Sequence, residues 1–545
     1  LPPAAAGPSE SLPDTPAAAD LPQAEVCVRT HSLPHRLSAA IAAVAPASLL
    51  MLALGLTATA LAIEPPPPEA GIDWRAPDGS TALQWAVYDG DVERVEQLLK
   101  AGADPMQANN YGANPMQLAA EVANSEILAR LLEAGANADS PNPEGQTALM
   151  LVARTGNVAA AQLLIKSGAT VDAREGWGDQ TALMWATARR HPAMMELLLE
   201  SGADPNAQSR NRDYRRHLTK EGRAKSLDAG GMTPLLYAVR ENCLACIDVL
   251  VKRSADLNQP DPEGVAPLLL ATLNSHWDAA LRLINAGADV QQWDNYGQTA
   301  LHAALGRRSS NPQNPLDGLN EIDGLAVVRL LLEKGANPNM QLFLRPSKQR
   351  GAMSRGTTPL IIAASSGDVD TIQLLLDHGA DATLLQADRQ SPIIALAGAR
   401  GAPDRLLAAL NLLVAAGADP NVVSVHHHLQ RTRGGSALHA AVRANNTRMV
   451  EALVAAGADI NIKDYDGVTP LDYAMARGQV GFLQMRQPPN TKMADQLRAL
   501  GATVELPGTP FWPNVGPPFF YPWSIFPLDP AAEATALVPG SFDHQ

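Results

Sequence analysis

The chain restates one short phrase at a fixed interval. TALQWA opens at Thr81, NPMQLA at Asn114, TALMLV at Thr147 and TALMWA at Thr181, and the phrase returns at Thr233, Ala266, Thr299, Thr358, Ser391, Ser436 and Thr469. Six of the ten steps between openings are 33 residues and one is 34; only three are longer, at 52, 59 and 45. A second phrase, Gly-Ala-Asp or a near variant, closes each unit at Gly102, Gly135, Gly168, Gly202, Ser254, Gly287, Gly335, Gly379, Gly417, Gly457 and Gly501. Eleven openings and eleven closings read as eleven repeats. A unit this short cannot bury its apolar face alone and must stack on its neighbours, so the 545 residues are not divided into three or four globular domains.

One unit explains its own shape. In DGSTALQWA, Gly79 supplies a turn with positive φ, Thr81 can cap a helix, and Leu83 and Ala86 begin an apolar face. Where Pro follows, as in Thr233-Pro234, Thr358-Pro359 and Thr469-Pro470, it occupies the first helical turn, where its absent N–H is not needed. Gly90 ends this helix, VERVEQLLK forms a second with Val92, Val95, Leu98 and Leu99 on one side, and Gly102 closes it. Only 4% of residues are aromatic, which suits thin helices stacked through Ala and Leu.

The phrases TALHAAL, SALHAAV and TPLIIAAS, followed by LLEKGANPN or LVAAGADIN at this period, resemble the ankyrin repeat over about Asp73 to Val504. The resemblance implies an all-α, ankyrin-type helix-turn-helix solenoid with short β-hairpin-like turns. It also implies a role in binding protein partners, through the turn tips and the face of the first helices. This chain departs from the family phrase in places. Asn114 and Ala266 stand where Thr is expected, which predicts weakened caps in those layers, and only His302 and His439 keep the family's His.

With the scaffold repeated, function must lie in what varies. Carried over by position, the recognition residues of the first helices stand seven and eight after each opening. Six of these 22 positions are arginine, Arg154, Arg189, Arg240, Arg307, Arg443 and Arg477, where composition alone gives about 1.7. A basic stripe facing a groove is one reading. The other is that arginine complements the C-terminal dipole of each short helix.

The spacing varies as well. From closing Gly to next opening the usual count is 12, but 202 to 233, 335 to 358 and 417 to 436 are longer, and all three extra segments are basic. The insertion at 207–230 carries Arg212, Arg215 and Arg216, that at 340–356 carries Arg345, Lys348 and Arg350, and that at 422–434 carries Arg431 and Arg433 after His426, His427 and His428. Each falls in a turn, so all three are expected on one edge of the solenoid, where they would meet an acidic partner surface or peptide. Further insertions after Leu305 and at 482–492 fall between the two helices of a unit and suggest no role.

Signals for chemistry are sparse. Cys243 and Cys246 form a CLAC at the start of a second helix, a spacing that permits a disulfide or a redox pair. The triplet His426 to His428 lacks a carboxylate or thiol partner for a metal site. No phosphate-binding Gly loop, nucleophile elbow, HExxH or kinase signature is found, so no catalytic residue, cofactor or metal is assigned. The alternative function is an accessory, redox- or metal-linked component of an exported enzyme system, using Cys243 and Cys246 or the His triplet. A formal net charge of −14 argues against a nucleic-acid partner.

The flanks differ from the array. Residues 1–62 read as a disordered Pro/Ala-rich leader, then Arg29 and Arg36 ahead of an apolar run, 37–61, ending Ala60-Leu61-Ala62, the layout of a secretory signal peptide. Export, to the periplasm, is the expectation; the alternative is a membrane anchor at 37–61. Residues 63–72 form a Pro-rich spacer, 73–504 the solenoid, and 505–545 a Pro/aromatic-rich tail. The tail holds Phe511, Trp512, Phe519, Phe520, Tyr521, Trp523 and Phe526. It reads as a cap on the open end of the solenoid or as an adhesive segment for a partner or membrane. Oligomeric state is not written in the sequence.

Overall fold

The structure, a computed structural model, describes residues 66–67, 69–211, 230–310, 324–343, 355–425, 434–465, 467–475 and 489–503. The unit Leu1–Ala62 and the tail lie outside the described residues. Among the described residues, twenty-two helices follow in eleven consecutive pairs, from Ala82–Asp89 with Val92–Lys100 to Pro470–Ala474 with Thr491–Ala499. The first helix of each pair, the inner helix, packs on the inner helix of the next pair along the whole array. The outer helices stack likewise from Val92–Lys100 to Thr447–Ala455, and Gln496 of the last one donates to Glu451 Oε1 at 2.6 Å and Thr447 O at 3.1 Å. The architecture is an all-α ankyrin-type solenoid. The turns contribute isolated antiparallel bridges, such as Arg75 with Thr81 and Trp293 with Thr299.

One apolar cluster runs from Ala70 to Ala502. Alanines of the inner helices, among them Ala119, Ala153, Ala186 and Ala304, are fully or almost fully buried, and their small size lets successive layers approach. The caps follow the sequence with one correction. Thr81 Oγ1 accepts from Gln84 N at 3.1 Å, and Thr147, Thr233 and Thr358 cap in the same way. Asn114, expected to be a weak substitute, is a complete cap: its Oδ1 accepts from Gln117 N at 3.0 Å while Gln117 Oε1 accepts from Asn114 N at 3.3 Å. Asn serves because a short amide places its oxygen where the Thr hydroxyl would be. At Ala266 the side-chain cap is lost.

In four units the third residue after the opening ties one layer to the next. His439 accepts from Ser436 N at Nδ1, 3.1 Å, and donates from Nε2 to Val468 O at 2.9 Å in the following repeat. His302 reaches Thr357 O in the same way, at 3.2 Å. Gln84 and Gln117 do this work elsewhere: Gln84 Oε1 accepts from Thr81 N at 2.7 Å and its Nε2 donates to Ala113 O at 2.6 Å, and Gln117 Nε2 donates to Ser140 O at 3.3 Å.

A second ladder runs along the turns, four residues after seven of the closing positions. Asp139, Asp172, Asn206, Asn258, Asn339, Asn421 and Asn461 each accept a backbone N–H from the next repeat, from Thr170, Asp204, Asp256, Asp289, Asp381, Asp459 and Thr503 respectively. Asn339 and Asn421 also donate to Gly379 O and Gly457 O. The closing residue itself is left-handed in each repeat; ten of the eleven are Gly, and Ser254 adopts φ 57° in the remaining one.

Candidate functional site: the inner-helix face

Arg154, Arg240 and Arg443 stand in the last turns of the inner helices Ala148–Thr155, Pro234–Arg240 and Ala437–Arg443, where the helix dipole favours a cation. Their side chains do more than complement a dipole. The Arg154 guanidinium lies 5.7 Å from the ring centre of Trp185, and that of Arg443 lies 5.6 Å from Tyr473. In both cases the arginine is the seventh residue after its opening and the ring is the fourth after the next opening, so the same geometry recurs across two separate repeat boundaries. Arg240 lies 4.8 Å from the ring centre of Tyr237 in its own repeat and also pairs with Glu241 at 3.0 Å. Stacking on a ring removes rotamer freedom from the guanidinium. Arg189 is exposed on the same face. The side chain of Arg307, and all of Arg477, lie outside the described residues.

The outer face is arranged differently. There, arginines pair with carboxylates of neighbouring outer helices: Arg253 with Glu200 at 2.5 Å, Arg282 with Asp248, Arg405 with Asp370 at 2.9 Å and Arg448 with Asp404 at 2.7 Å. These four arginines are thus matched by carboxylates within the array, whereas Arg154, Arg240 and Arg443 of the inner face also lie against aromatic rings.

The inner face deepens into a groove of about 1070 Å³ between Ser365 and Arg448. Its cause is local. The inner helix Pro392–Ala397 has six residues and stops at Gly398, and the floor is made of small side chains, Ala395, Ala399, Ala440 and Ala444. Ile394, Leu406 and Val425 add apolar wall, and the charged lining is Arg400 and Arg443 against Asp388, with Arg448 paired to Asp404 at the rim.

The basic insertions spring from closed hairpin roots, which is why they lengthen the turns without separating the layers. Asn211 bridges Gly230, and Arg210 makes a bidentate pair with Asp179 at 2.9 and 2.7 Å that holds this carboxyl below its ordinary range. Leu342 N donates to Thr357 O at 3.2 Å at the second root. Ser424 and Gly435 exchange backbone bonds at the third, and Arg443 Nη1 donates to Gly434 O at 3.2 Å. Ser424 and Val425 also line the groove, so one insertion root and one stripe arginine meet there. Arg212, Arg215, Arg216, Arg345, Lys348, Arg350, Arg431, Arg433 and the His426 to His428 triplet lie outside the described residues.

Cys243 and Cys246 are joined in a disulfide within the buried start of helix Leu244–Lys252. Among the described residues no three His, Cys, Asp or Glu side chains converge on a metal position. Sequence reasoning missed the exposed aromatics of the turns, Tyr111, Trp177 and Tyr465, and the edge-to-face pair of Trp293 with Phe343. For Tyr111, Trp177, Tyr465 and Trp293 the signal was present as rings three to six residues before an opening, where solvent exposure gives an aromatic no structural reason to stand.

A stacked array of helix pairs with variable side chains on one face is the build of an interaction scaffold. The family model described as "Ankyrin repeats (3 copies)" matches residues 50–142, 117–209, 319–386 and 394–485, and the single "Ankyrin repeat" model matches 230–262 and 296–341. Together these cover more than half of the chain, which belongs to the ankyrin repeat family. Its relatives include the E3 ubiquitin-protein ligase KEG of Arabidopsis thaliana, 26% identical over 47% of this chain and 14% of that protein. They also include the B-cell lymphoma 3 protein homolog of Mus musculus, 27% identical over 48% of this chain and 52% of that protein. The chain thus spans about half or less of the length of these relatives. Among solved structures, the ankyrin repeat domain of Bcl-3, a member of the IkappaB protein family, matches 42% of this chain and 94% of its own at 26% identity, with a TM-score of 0.36.

Proposed function

We propose that the protein is a non-enzymatic scaffold of eleven ankyrin repeats that binds an acidic protein surface or peptide. The contacts are Arg154, Arg189, Arg240, Arg307, Arg443 and Arg477 on the inner face, with the basic insertions at 207–230, 340–356 and 422–434. The observation that carries this reading is the repeated stacking of Arg154 on Trp185 and Arg443 on Tyr473, because a guanidinium fixed over a ring presents a preorganised fork to a carboxylate. An exported, mature chain starting near Ile63 is part of the same reading, from the signal-peptide layout of 37–62.

The test is affinity capture from the native host, comparing wild type with Arg154→Ala/Arg240→Ala/Arg443→Ala and with a variant whose three insertions are trimmed to 12-residue turns. Loss of a partner in either variant, with affinity falling steeply between low and high salt, supports the reading. Capture unaffected by both changes, or flat with salt, refutes it. The disulfide motivates a second reading, a redox-linked accessory role. Replacing Cys243 and Cys246 by Ser separates the two, since a binding scaffold keeps its partner.

A further inference from the structure

We propose that the groove at Gly398 to Arg448 is the docking site of the chain's own tail, residues 505–545, which occupies it as an intramolecular competitor of the partner. This rests on reading the inner-face arginines as a binding surface and adds what covers them in the free protein.

Three observations select this occupant. The first is charge. The groove lining carries Arg400 and Arg443 against Asp388, Arg448 being already paired with Asp404. The tail carries Glu505, Asp529, Glu533 and Asp543 and no Lys or Arg. The second is shape and polarity. Ile394, Leu406 and Val425 line a groove of about 1070 Å³ floored by Ala395, Ala399, Ala440 and Ala444, so the site has room for several rings and apolar surface to meet them. The tail concentrates Phe519, Phe520, Tyr521 and Trp523 within five residues. Arg443 already stacks on Tyr473, so a second ring entering the groove finds a guanidinium held at its edge.

The third is reach. The described chain ends at Thr503, one repeat beyond the groove, and Asn490 of that last repeat donates to Asn445 Oδ1 in the groove lining at 2.7 Å. Helical layers lie about 8–10 Å apart, so the groove centre, between the two preceding layers, is on the order of 15 Å from the last layer. Fifteen extended residues between Val504 and Phe519 span roughly 50 Å. The short tether also fixes the competition: it holds the tail at an effective concentration on the order of millimolar, enough to displace a peptide of micromolar affinity.

The experiment uses the full chain. A fluorescein-labelled peptide of residues 505–545 is titrated by anisotropy against wild type and against the full-chain variant Phe519→Ala/Phe520→Ala/Tyr521→Ala/Trp523→Ala. The free peptide should bind the tail variant at least tenfold more tightly than wild type, whose groove is already filled. Adding Arg400→Ala and Arg443→Ala to the tail variant should weaken peptide binding at least tenfold, with far-UV circular dichroism unchanged. Equal binding to wild type and tail variant, or no loss with the arginine changes, overturns the assignment. So does a wild-type dimer in light scattering that the tail variant lacks, since the tail would then sit on a second copy. Poly-glutamate titrated in parallel separates this inference from the function it rests on: poly-glutamate binding without peptide binding sinks the tail docking alone, and loss of both sinks the basic surface.

Discussion

Lowering the pH from 7.5 to 5 should weaken this solenoid at two named layers. His302 and His439 are buried, and burial pushes both imidazoles from 6.5 down to about 4. The hydrogen bonds agree, since a ring that accepts from a backbone N–H at Nδ1 and donates from Nε2 is the neutral tautomer. The folded chain therefore resists protonation while the unfolded chain takes up a proton below 6.5. The stability from each imidazole is complete above about pH 7 and is lost as the pH falls through 6.5 toward 4. Over that window each shift costs about 2 kcal/mol by pH 5 and about 3 kcal/mol below pH 4. Gln84 and Gln117 supply the control from within the array, because Gln makes the same two hydrogen bonds and does not titrate. His302→Gln/His439→Gln should be within about 1 kcal/mol of wild type at pH 7.5 and about 3–4 kcal/mol more stable at pH 5 by the same linkage. Urea unfolding followed by circular dichroism at both pH values measures this. If the double variant loses as much as wild type between pH 7.5 and 5, the acid sensitivity resides elsewhere and the argument fails.

Two further changes probe the scaffold. Ser254→Gly should raise stability by about 0.5–1 kcal/mol, because Ser254 is exposed and holds φ 57° where ten other repeats place Gly; a neutral or negative shift in thermal unfolding would contradict this. Asn421→Ala removes the bonds to Asp459 N and Gly457 O and should cost about 1–2 kcal/mol, with amide exchange in the last two repeats rising before the rest of the array. Protection unchanged at Asp459 would show the ladder to be decorative.

Much of the fold was legible because a repeat states its own rule many times. Thr81, Thr147 and Thr358 were read as caps and are caps. Asn114 was misjudged because the phrase was weighed by residue identity, while the cap needs only an oxygen at the right reach. The candidate stripe was legible as positions, seven and eight after each opening, but not as geometry. That Arg154 meets Trp185 and Arg443 meets Tyr473 depends on two residues about thirty positions apart in sequence and adjacent only after the layers stack.

The sequence by itself determined the local structure, since caps, turns and helix faces are set by residues within one unit and repeat with it. It determined the stacking as well, because a 33-residue unit has no other way to bury its Leu and Ala face. Only the tertiary structure decided where the array departs from uniformity: that a six-residue helix ending at Gly398 opens a groove, and that Arg400 and Arg443 from two successive repeats line it together. The physical reason is range. Hydrogen bonds and dihedral preferences act within a few residues and leave their trace in the local phrase, whereas a cavity and the charge along it arise between layers, after the chain has returned to the same place.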